Sequence, residues 1–324
     1  MDFKVSVIIP VFNAEPYIRA AVDSALALPE TGEVILVEDG SADDSFAACR
    51  ELADGDSRVL LSRHEGGTNR GAAAARNLGI LRASFPFVTF LDADDTFAEN
   101  RFAAAKRIFA ERPECEGVYE AIGMLPADDP LNKPVLTTVA APYAPDELFF
   151  KISPIGNRGY FSLIGLTVRK TVFAKAGMLN ESLRVSQDTE WMLRLTASCR
   201  LCPGSLDAPV AMRRIHPGNR TTDEDLMRSK KPVMALSCLD WFVRNDMPAE
   251  KTAEVLRLYF KYRFEHVRLG GRGSRLSRKL KDIADGLSLW RKYPALRADP
   301  FLRYHLRMAF RLPVKEHLNY YVGR

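Results

Sequence analysis

Three carboxylates fall within four consecutive positions, Asp92-Ala93-Asp94-Asp95, directly after the apolar run FPFVTF at 85–90. Packed side by side, such groups repel unless a cation or a hydroxyl-rich ligand meets them. In an extended segment, positions i and i+2 project the same way, which would turn Asp92 and Asp94 toward one ligand. Hard cations such as Mg²⁺ and Mn²⁺ prefer carboxylate oxygens and often share a site with phosphates. The plain alternative is a solvated acidic turn.

The surrounding elements decide how much weight that cluster carries. VSVIIPV at 5–11 reads as a strand buried on both faces, and the helical pattern AEPYIRAAVDSALAL follows, with Pro16 suited to its first turn. EVILVEDGS is a second strand and DDSFAACRELA a second helix, with Ser41 or Asp43 as its cap. RVLLSR, the alanine-rich NRGAAAARNLGILRA and FVTFLDADD continue the alternation as strand, helix and strand. Alternating strands and helices predict an α/β fold, a mostly parallel sheet with helices on both faces. Such sheets bind ligands at the carboxyl ends of their strands, and here those ends read PVFNAE, VEDGS and DADD.

The middle of the chain is less regular. CEGVYEAIGML and YFSLIGLTVRK are expected as strands, PADDPLNKP as a loop, TVFAKAG as a helix closed by Gly177, DTEWMLRLTAS as a helix, and APVAMRRIHPGN as a strand running into a turn. Beyond Thr222 the pattern is helical, with breaks at Pro248, Gly270–Gly271, Pro294 and Pro313. The expected organisation is therefore a 1–222 α/β domain and a 223–324 basic helical region. Charge follows the same division: residues 1–227 hold 24 Lys and Arg against 32 Asp and Glu, net −8, whereas 228–324 hold 22 against 9, net +13. No apolar run approaches the roughly 18 residues of a membrane-spanning helix, and the first residues do not read as a signal peptide. Five cysteines at scattered spacings suggest no disulfide framework, and Cys199-x-x-Cys202 has no second pair or nearby histidines to complete a zinc site. A cytoplasmic location is expected.

Taken together and in order, VSVIIPVFNAEPYI, VILVEDGSADDS, NRGAAAARNLGI, FVTFLDADD and VSQDTEWMLRL resemble the family 2 glycosyltransferases, inverting enzymes of the GT-A fold, over residues 3–222. The resemblance implies that Pro10, Val11, Asn13 and Glu15 hold the nucleotide, that Asp39 bonds the base, and that Arg76 lies near the nucleotide. It implies that the D-x-D residues Asp92, Ala93 and Asp94 hold the ribose and a diphosphate-bound Mn²⁺ or Mg²⁺, that His216 completes the metal site, and that Asp188 is the catalytic base. The family usually has Glu-Asp where this chain has Gln187-Asp188. Independent chemical logic agrees: a cation stabilises a departing diphosphate, and one carboxylate remote from it can take the acceptor's proton for displacement with inversion.

Plainer roles stay open at this level. Asp39 could be a cap or turn residue, Arg76 a surface arginine and His216 ordinary loop, and Glu190 could replace Asp188 as the base. Gly66, Gly67 and Gly71 lack a phosphate-loop pattern and read as helix-entry turns. The Q-x-x-R-W motif and membrane helices of processive synthases are missing, so transfer of a single sugar is expected, with a UDP-sugar as donor and a glycan or lipid-linked acceptor. Two other functions fit the sequence less well. A sugar-phosphate nucleotidyltransferase would show a Gly-rich basic signature near its start. A non-catalytic nucleic-acid binder would show a recognised motif in the basic region, and none is there. The aromatic and basic tail, with Tyr259, Phe260, Tyr262, Phe264, Trp290, Tyr304 and Phe310, is compatible with packing on the core, with a homodimer, or with peripheral contact at the anionic inner face of a membrane.

Overall fold

The computed structural model describes residues 3–126, 135–216, 224–269, 275–300, 302–303 and 306. The chain forms two compact units, residues 1–222 and 223–324. PADDPLNKP after Pro126, Pro217 and its expected turn, Gly270–Gly271, Tyr304, Phe310 and Pro313 lie outside the described residues, as does the side chain of Phe264.

The first unit opens with β1 (Val5–Val11), α1 (Glu15–Leu26), β2 (Thr31–Glu38), α2 (Ser45–Gly55), β3 (Val59–Arg63), α3 (Ala72–Arg82) and β4 (Phe87–Phe90). It continues with β5 (Thr96–Phe97), α4 (Ala103–Glu111), β6 (Gly117–Tyr119), β7 (Ile122–Pro126), β8 (Val135–Thr137), α5 (Pro145–Lys151) and β9 (Leu166–Arg169). α6 (Val172–Ala176), α7 (Gln187–Ser198), β10 (Leu201–Pro203) and β11 (Ala211–Ile215) complete it. Seven strands form one sheet in the order β10-β6-β9-β4-β1-β2-β3. β1 runs parallel to β2 and β4, with Ile8 opposite Ile35 on one side and Phe90 on the other. β9 is antiparallel to both its neighbours.

Period-two alternation divides the apolar side chains between the two faces. Val7, Ile9, Val34 and Leu36 pack with Ile18 and Val22 of α1 and with Ile108 and Phe109 of α4. Ile8, Ile35, Val88 and Phe90 pack on the other face with Ala73 and Ile80 of α3 and with Trp191 and Leu195 of α7. α3 approaches so closely that a Cβ on Gly79 would strike the Ile8 side chain.

Three sequence expectations are corrected here. CEGVYEAIGML is two strands, β6 and β7, in different sheets: Val118 and Tyr119 face β9, whereas β7 joins a four-stranded sheet ordered β5-β11-β7-β8. YFSLIGLTVRK is a strand only from Leu166, after a short helical turn at Leu163–Gly165. α2 is not capped by a side chain of Ser41 or Asp43 at its N-cap position, which is Asp44. Asp43 instead accepts from the Ser45 amide and hydroxyl at 3.1 and 2.5 Å, and Ser41 serves the β1–α1 loop.

Where β6 leaves the sheet, a buried ion pair holds the junction. Both Arg101 and Glu120 are fully buried and meet at 3.2 Å. Arg101 also donates to Thr167 Oγ1, Thr89 Oγ1 and the Leu166 carbonyl at 3.1, 2.6 and 3.1 Å, so β4, β6 and β9 share one guanidinium. Burial lowers the Arg101 pKa to about 10 and raises that of Glu120 to about 7, although each charge opposes the other's shift.

The second unit contains α8 (Glu224–Arg244), α9 (Ala249–Leu269) and α10 (Arg275–Lys292), followed by a helical turn at Pro294–Ala298. α9 follows directly after Pro248, as expected of that break. Tyr259, Phe260 and Tyr262 are buried, with Leu239 and Phe242 of α8 among the unit's other buried side chains. Asp240 of α8 accepts from Tyr293 Oη at 2.6 Å and pairs with Lys292 and Arg244. Among the described residues, no helix is long and apolar enough to cross a membrane.

Candidate active site

The carboxyl ends of β1, β2 and β4 lie side by side in the sheet, and the loops leaving them are cross-braced. After β1, Asn13 adopts φ 49°, its amide donates to Ser41 Oγ at 3.0 Å, and its Oδ1 accepts from the Ala42 amide at 2.8 Å. The amides of Ala14 and Glu15 donate to Ser45 Oγ and Asp43 Oδ2, fixing the start of α1. Pro10 and Val11 are the last residues of β1, and the Glu15 side chain is exposed.

Asp39, just past β2, is buried, and each of its oxygens accepts one backbone amide: Arg70 and Gly71, both at 2.8 Å. The carboxylate thus anchors the turn into α3. Each oxygen keeps a second lone pair, so this anchoring does not exhaust it. Gly71, at φ 95°, has Arg184 Nη1 lying where a Cβ would project.

The acidic cluster differs from the extended segment anticipated. β4 ends at Phe90, and the Asp95 amide donates to the Asp92 carbonyl at 3.0 Å, closing a turn. The turn sends the carboxylates to separate partners. Asp92 Oδ1 accepts from Arg76 Nη2 at 2.5 Å, and Asp94 Oδ2 shares a hydrogen bond with His216 Nε2 at 3.0 Å. Ala93 is buried between them. Asp95 points inward, where its Oδ1 accepts from the Arg214 amide at 2.9 Å. Burial, then Asp92 and Asp94, push its pKa up to about 8.

Arg76 is not a surface arginine. It is 6% exposed, and its Nε and Nη1 are shut off from solvent without a hydrogen-bond partner. Buried donors left in this way cost about 1–3 kcal/mol each.

Asp188 is the second residue of α7, partly exposed, and its Oδ1 accepts from the Thr189 amide at 2.8 Å. The helix is held from two sides. Trp191 meets Phe90 edge-on at 6.2 Å and Phe173 face-on at 5.4 Å, and its Nε1 donates to the Gly177 carbonyl at 2.8 Å. Asn77, next to Arg76, donates to the Leu179 carbonyl and to Glu181 Oε1, both at 2.9 Å, and accepts from the Leu179 amide. α7 thus packs on the strand that precedes the acidic turn, and the loop leading into α7 is tied to the helix that carries Arg76. Ser186, before α7, sits at φ 60°.

Glu190, the alternative base, is engaged in a different contact. Its carboxylate is buried and takes Arg194 Nε and Nη2 at 3.0 and 2.6 Å, while Arg194 also donates to the carbonyls of Ala176 and Met178. It braces α7 against α6. The i, i+4 spacing of Glu190 and Arg194 is the sequence signal for that role.

Sequence reasoning missed Asn77 and Tyr17. Asparagine is a poor helix former, so its place inside α3 hinted at a partner outside the helix. Tyr17, in the first turn of α1, stacks on His216 with ring centroids 4.9 Å apart, and nothing in the sequence announced it.

Carboxylate oxygens and an imidazole suit a divalent cation chemically, and Asp94 and His216 are already adjacent. Among the described residues, however, no three His, Cys, Asp or Glu side chains converge as a ready-made cage.

Residues 6–125 match the Glycosyl transferase family 2 domain. The succinoglycan biosynthesis protein ExoU of Rhizobium meliloti is 46% identical over 97 residues, which is 30% of this chain and 28% of that protein. In three curated relatives the aligned stretch spans only 13%, 28% and 38% of their length. Among solved structures, S. aureus TarS 1–349 in complex with UDP-GlcNAc superposes with a TM-score of 0.68 at 16% identity, covering 99% of this chain and 92% of that one. The Pyrobaculum calidifontis mannosyltransferase PcManGT, in complex with GDP-Man and Mn²⁺, gives 0.51 at 16% identity over 95% and 86%. The mostly parallel sheet with its flanking helices is the GT-A fold of these neighbours. Over residues 6–125 the chain is therefore similar to the family 2 glycosyltransferases, and its fold is that of the GT-A neighbours.

Proposed function

We propose that this protein transfers one sugar from a nucleoside-diphosphate sugar, with UDP as the favoured nucleotide, to a hydroxyl of a glycan or lipid-linked acceptor, inverting the anomeric centre. The observation that carries the reading is the turn after β4, where Asp92 with Arg76 and Asp94 with His216 form two adjacent polar pairs. The braced loops at Pro10–Glu15 and Asp39 form the nucleotide side, and Asp92, Asp94 and His216 would hold Mn²⁺ or Mg²⁺. A bound divalent cation would neutralise charge on the departing diphosphate. Arg76, held on Asp92, adds positive charge at the same end of the donor.

Asp188 takes the proton of the acceptor hydroxyl. The hydroxyl oxygen forms a bond to the anomeric carbon from the face opposite the diphosphate. The old carbon–oxygen bond breaks, and its electron pair leaves with the nucleoside diphosphate. Similar proteins support this: a succinoglycan biosynthesis protein, TarS in complex with UDP-GlcNAc and PcManGT in complex with GDP-Man and Mn²⁺.

The reading also places the protein at the cytoplasmic face of a membrane, met by the basic 223–324 unit. The burial of Tyr259, Phe260 and Tyr262 withdraws these three rings from such a contact and leaves more of it to charge. Sedimentation with anionic vesicles at low salt, reversed by salt, supports it; equal sedimentation with neutral vesicles contradicts it, and a dimer would show as a doubled mass in light scattering.

The direct test offers the protein a panel of nucleotide sugars with Mn²⁺ and measures nucleoside diphosphate. Slow release from one donor is expected, with Asp188→Asn lowering turnover by roughly 10²–10⁴ and leaving donor binding intact. Pyrophosphate release from a nucleoside triphosphate and a sugar phosphate would assign the protein to nucleotidyl transfer instead.

A further inference from the structure

His216 stands at the end of β11, on a different element from Asp94, so something must hold its imidazole in place. The structure supplies a holder. Arg214, in β11, and His216, just past its end, are two positions apart. The ring of Tyr17 lies against both: its centroid is 5.1 Å from the Arg214 guanidinium carbon and 4.9 Å from the His216 ring, the latter stacked at 29°. The Arg214 amide bonds Asp95 at 2.9 Å, so the strand bearing both side chains is pinned to the acidic turn. Tyr17 belongs to the first turn of α1, whose start is fixed by the Ser45 and Asp43 side chains.

We propose that Tyr17 is a positioning residue that stacks on His216 and holds its imidazole against Asp94, in the pose from which both side chains can share one divalent cation. The inference rests on the metal role proposed above. The β1–α1 loop, on the nucleotide side, and the histidine, on the cation side, are then parts of one mechanical unit. A rigid ring is suited to this: it restricts the imidazole by contact over a whole face and loses little conformational freedom itself. The contact needs the ring and not the hydroxyl, so phenylalanine should substitute and alanine should not.

The test has a metal-free arm and a metal arm. In the first, the His216 ring signals are followed by ¹H–¹⁵N NMR in wild type, Tyr17→Phe and Tyr17→Ala without ligand. The chain has only 5 His, and His216→Ala identifies the signals. Tyr17→Phe should keep the ring-current shift, and Tyr17→Ala should lose it. In the second arm, Mn²⁺ binding in the presence of UDP is read by loss of the free-Mn²⁺ electron paramagnetic resonance signal. Tyr17→Ala should weaken Mn²⁺ by about tenfold, a change of about 1.4 kcal/mol, with Tyr17→Phe near wild type. Added to His216→Ala, Tyr17→Ala should cost nothing more, because the two act through one contact. If Tyr17→Ala does not fold, Tyr17→Leu replaces it. Unchanged His216 signals, unchanged Mn²⁺ affinity, or full additivity with His216→Ala would overturn the proposal. Failure of wild type to bind Mn²⁺ with UDP would instead overturn the metal reading, and the NMR arm would still decide the stacking.

Discussion

Arg101 with Glu120 and Arg76 with Asp92 are the same chemical pair placed in two regions of one unit. The first lies where β6 leaves the sheet. Its guanidinium spends itself on Glu120, two threonine hydroxyls and a carbonyl, with only Nε left over. The second lies at the edge formed by the carboxyl ends of β1, β2 and β4. Its arginine has Asp92 as a partner, while Nε and Nη1 are sealed from water with none, and the Asp92 side chain is 42% exposed. A buried polar network that is nearly complete has little left to offer a ligand. One that keeps donors in reserve beside an accessible carboxylate is costly unless something arrives to use them. α7 repeats the contrast within three residues: Glu190 is closed by Arg194, whereas Asp188 is partly exposed and bonded only to a backbone amide of its own turn.

If the contrast is real, the closed pairs should be expensive to break and the open ones cheap. The largest loss is expected for Arg101→Met, which leaves Glu120 buried and unpaired. Urea unfolding should show a loss of about 3–5 kcal/mol, and Arg101→Met/Glu120→Leu should recover much of it. A loss below about 1 kcal/mol would mean that the pair is not the joint described.

The pH dependence of stability comes next. Burial raises the Glu120 pKa from its ordinary 4.5 to about 7. Between those values the folded state keeps a proton that the unfolded state releases. The stability contributed by this group is therefore full below about 4.5, falls as pH rises toward 7, and is then flat, with a slope of at most about 1.4 kcal/mol per pH unit. Glu120→Gln should lose less stability than wild type between pH 5 and pH 8. A steeper loss in the variant would reverse the sign of the argument.

Glu190→Gln should cost about 1–3 kcal/mol of stability, since Arg194 keeps an acceptor but loses the charge, whereas Asp188→Asn should leave the unfolding curve in place. Equal costs would remove the distinction between brace and base. Arg76→Met should also cost little, about 1 kcal/mol or less, because buried donors without partners disappear with the side chain. UDP affinity, measured by calorimetry, should nevertheless fall about tenfold. A stable variant with undiminished affinity would make Arg76 a packing residue.

Much of this was legible in the chain because it is local. The alternation of VSVIIPV, EVILVE and FVTF with helical stretches implied β1, β2, β4 and their parallel pairing, and therefore which loops share an edge. Asp92, Asp94, Asp188 and His216 could be singled out by type and order. What could not be read depended on contacts between distant segments. Asp92-Ala93-Asp94-Asp95 is a turn because Asp95 is bound by Arg214, 119 positions away. Cys115–Leu125 breaks into two strands because Glu120 is drawn to Arg101 and Ser205 rather than continuing in the sheet. Glu190 stood as an alternative to Asp188 in the sequence, and only the fold shows the Ala176 and Met178 carbonyls that fix Arg194 beside it.

The central claim is that the turn after β4 receives a diphosphate through a cation held at Asp94. It is tested most directly by titrating UDP into wild type and Asp94→Ala by calorimetry, with Mn²⁺ and with chelator. Wild type should bind much more tightly with Mn²⁺ than without it, and Asp94→Ala should bind weakly and equally in both. An Asp94→Ala protein that keeps the full Mn²⁺-dependent gain would contradict the account.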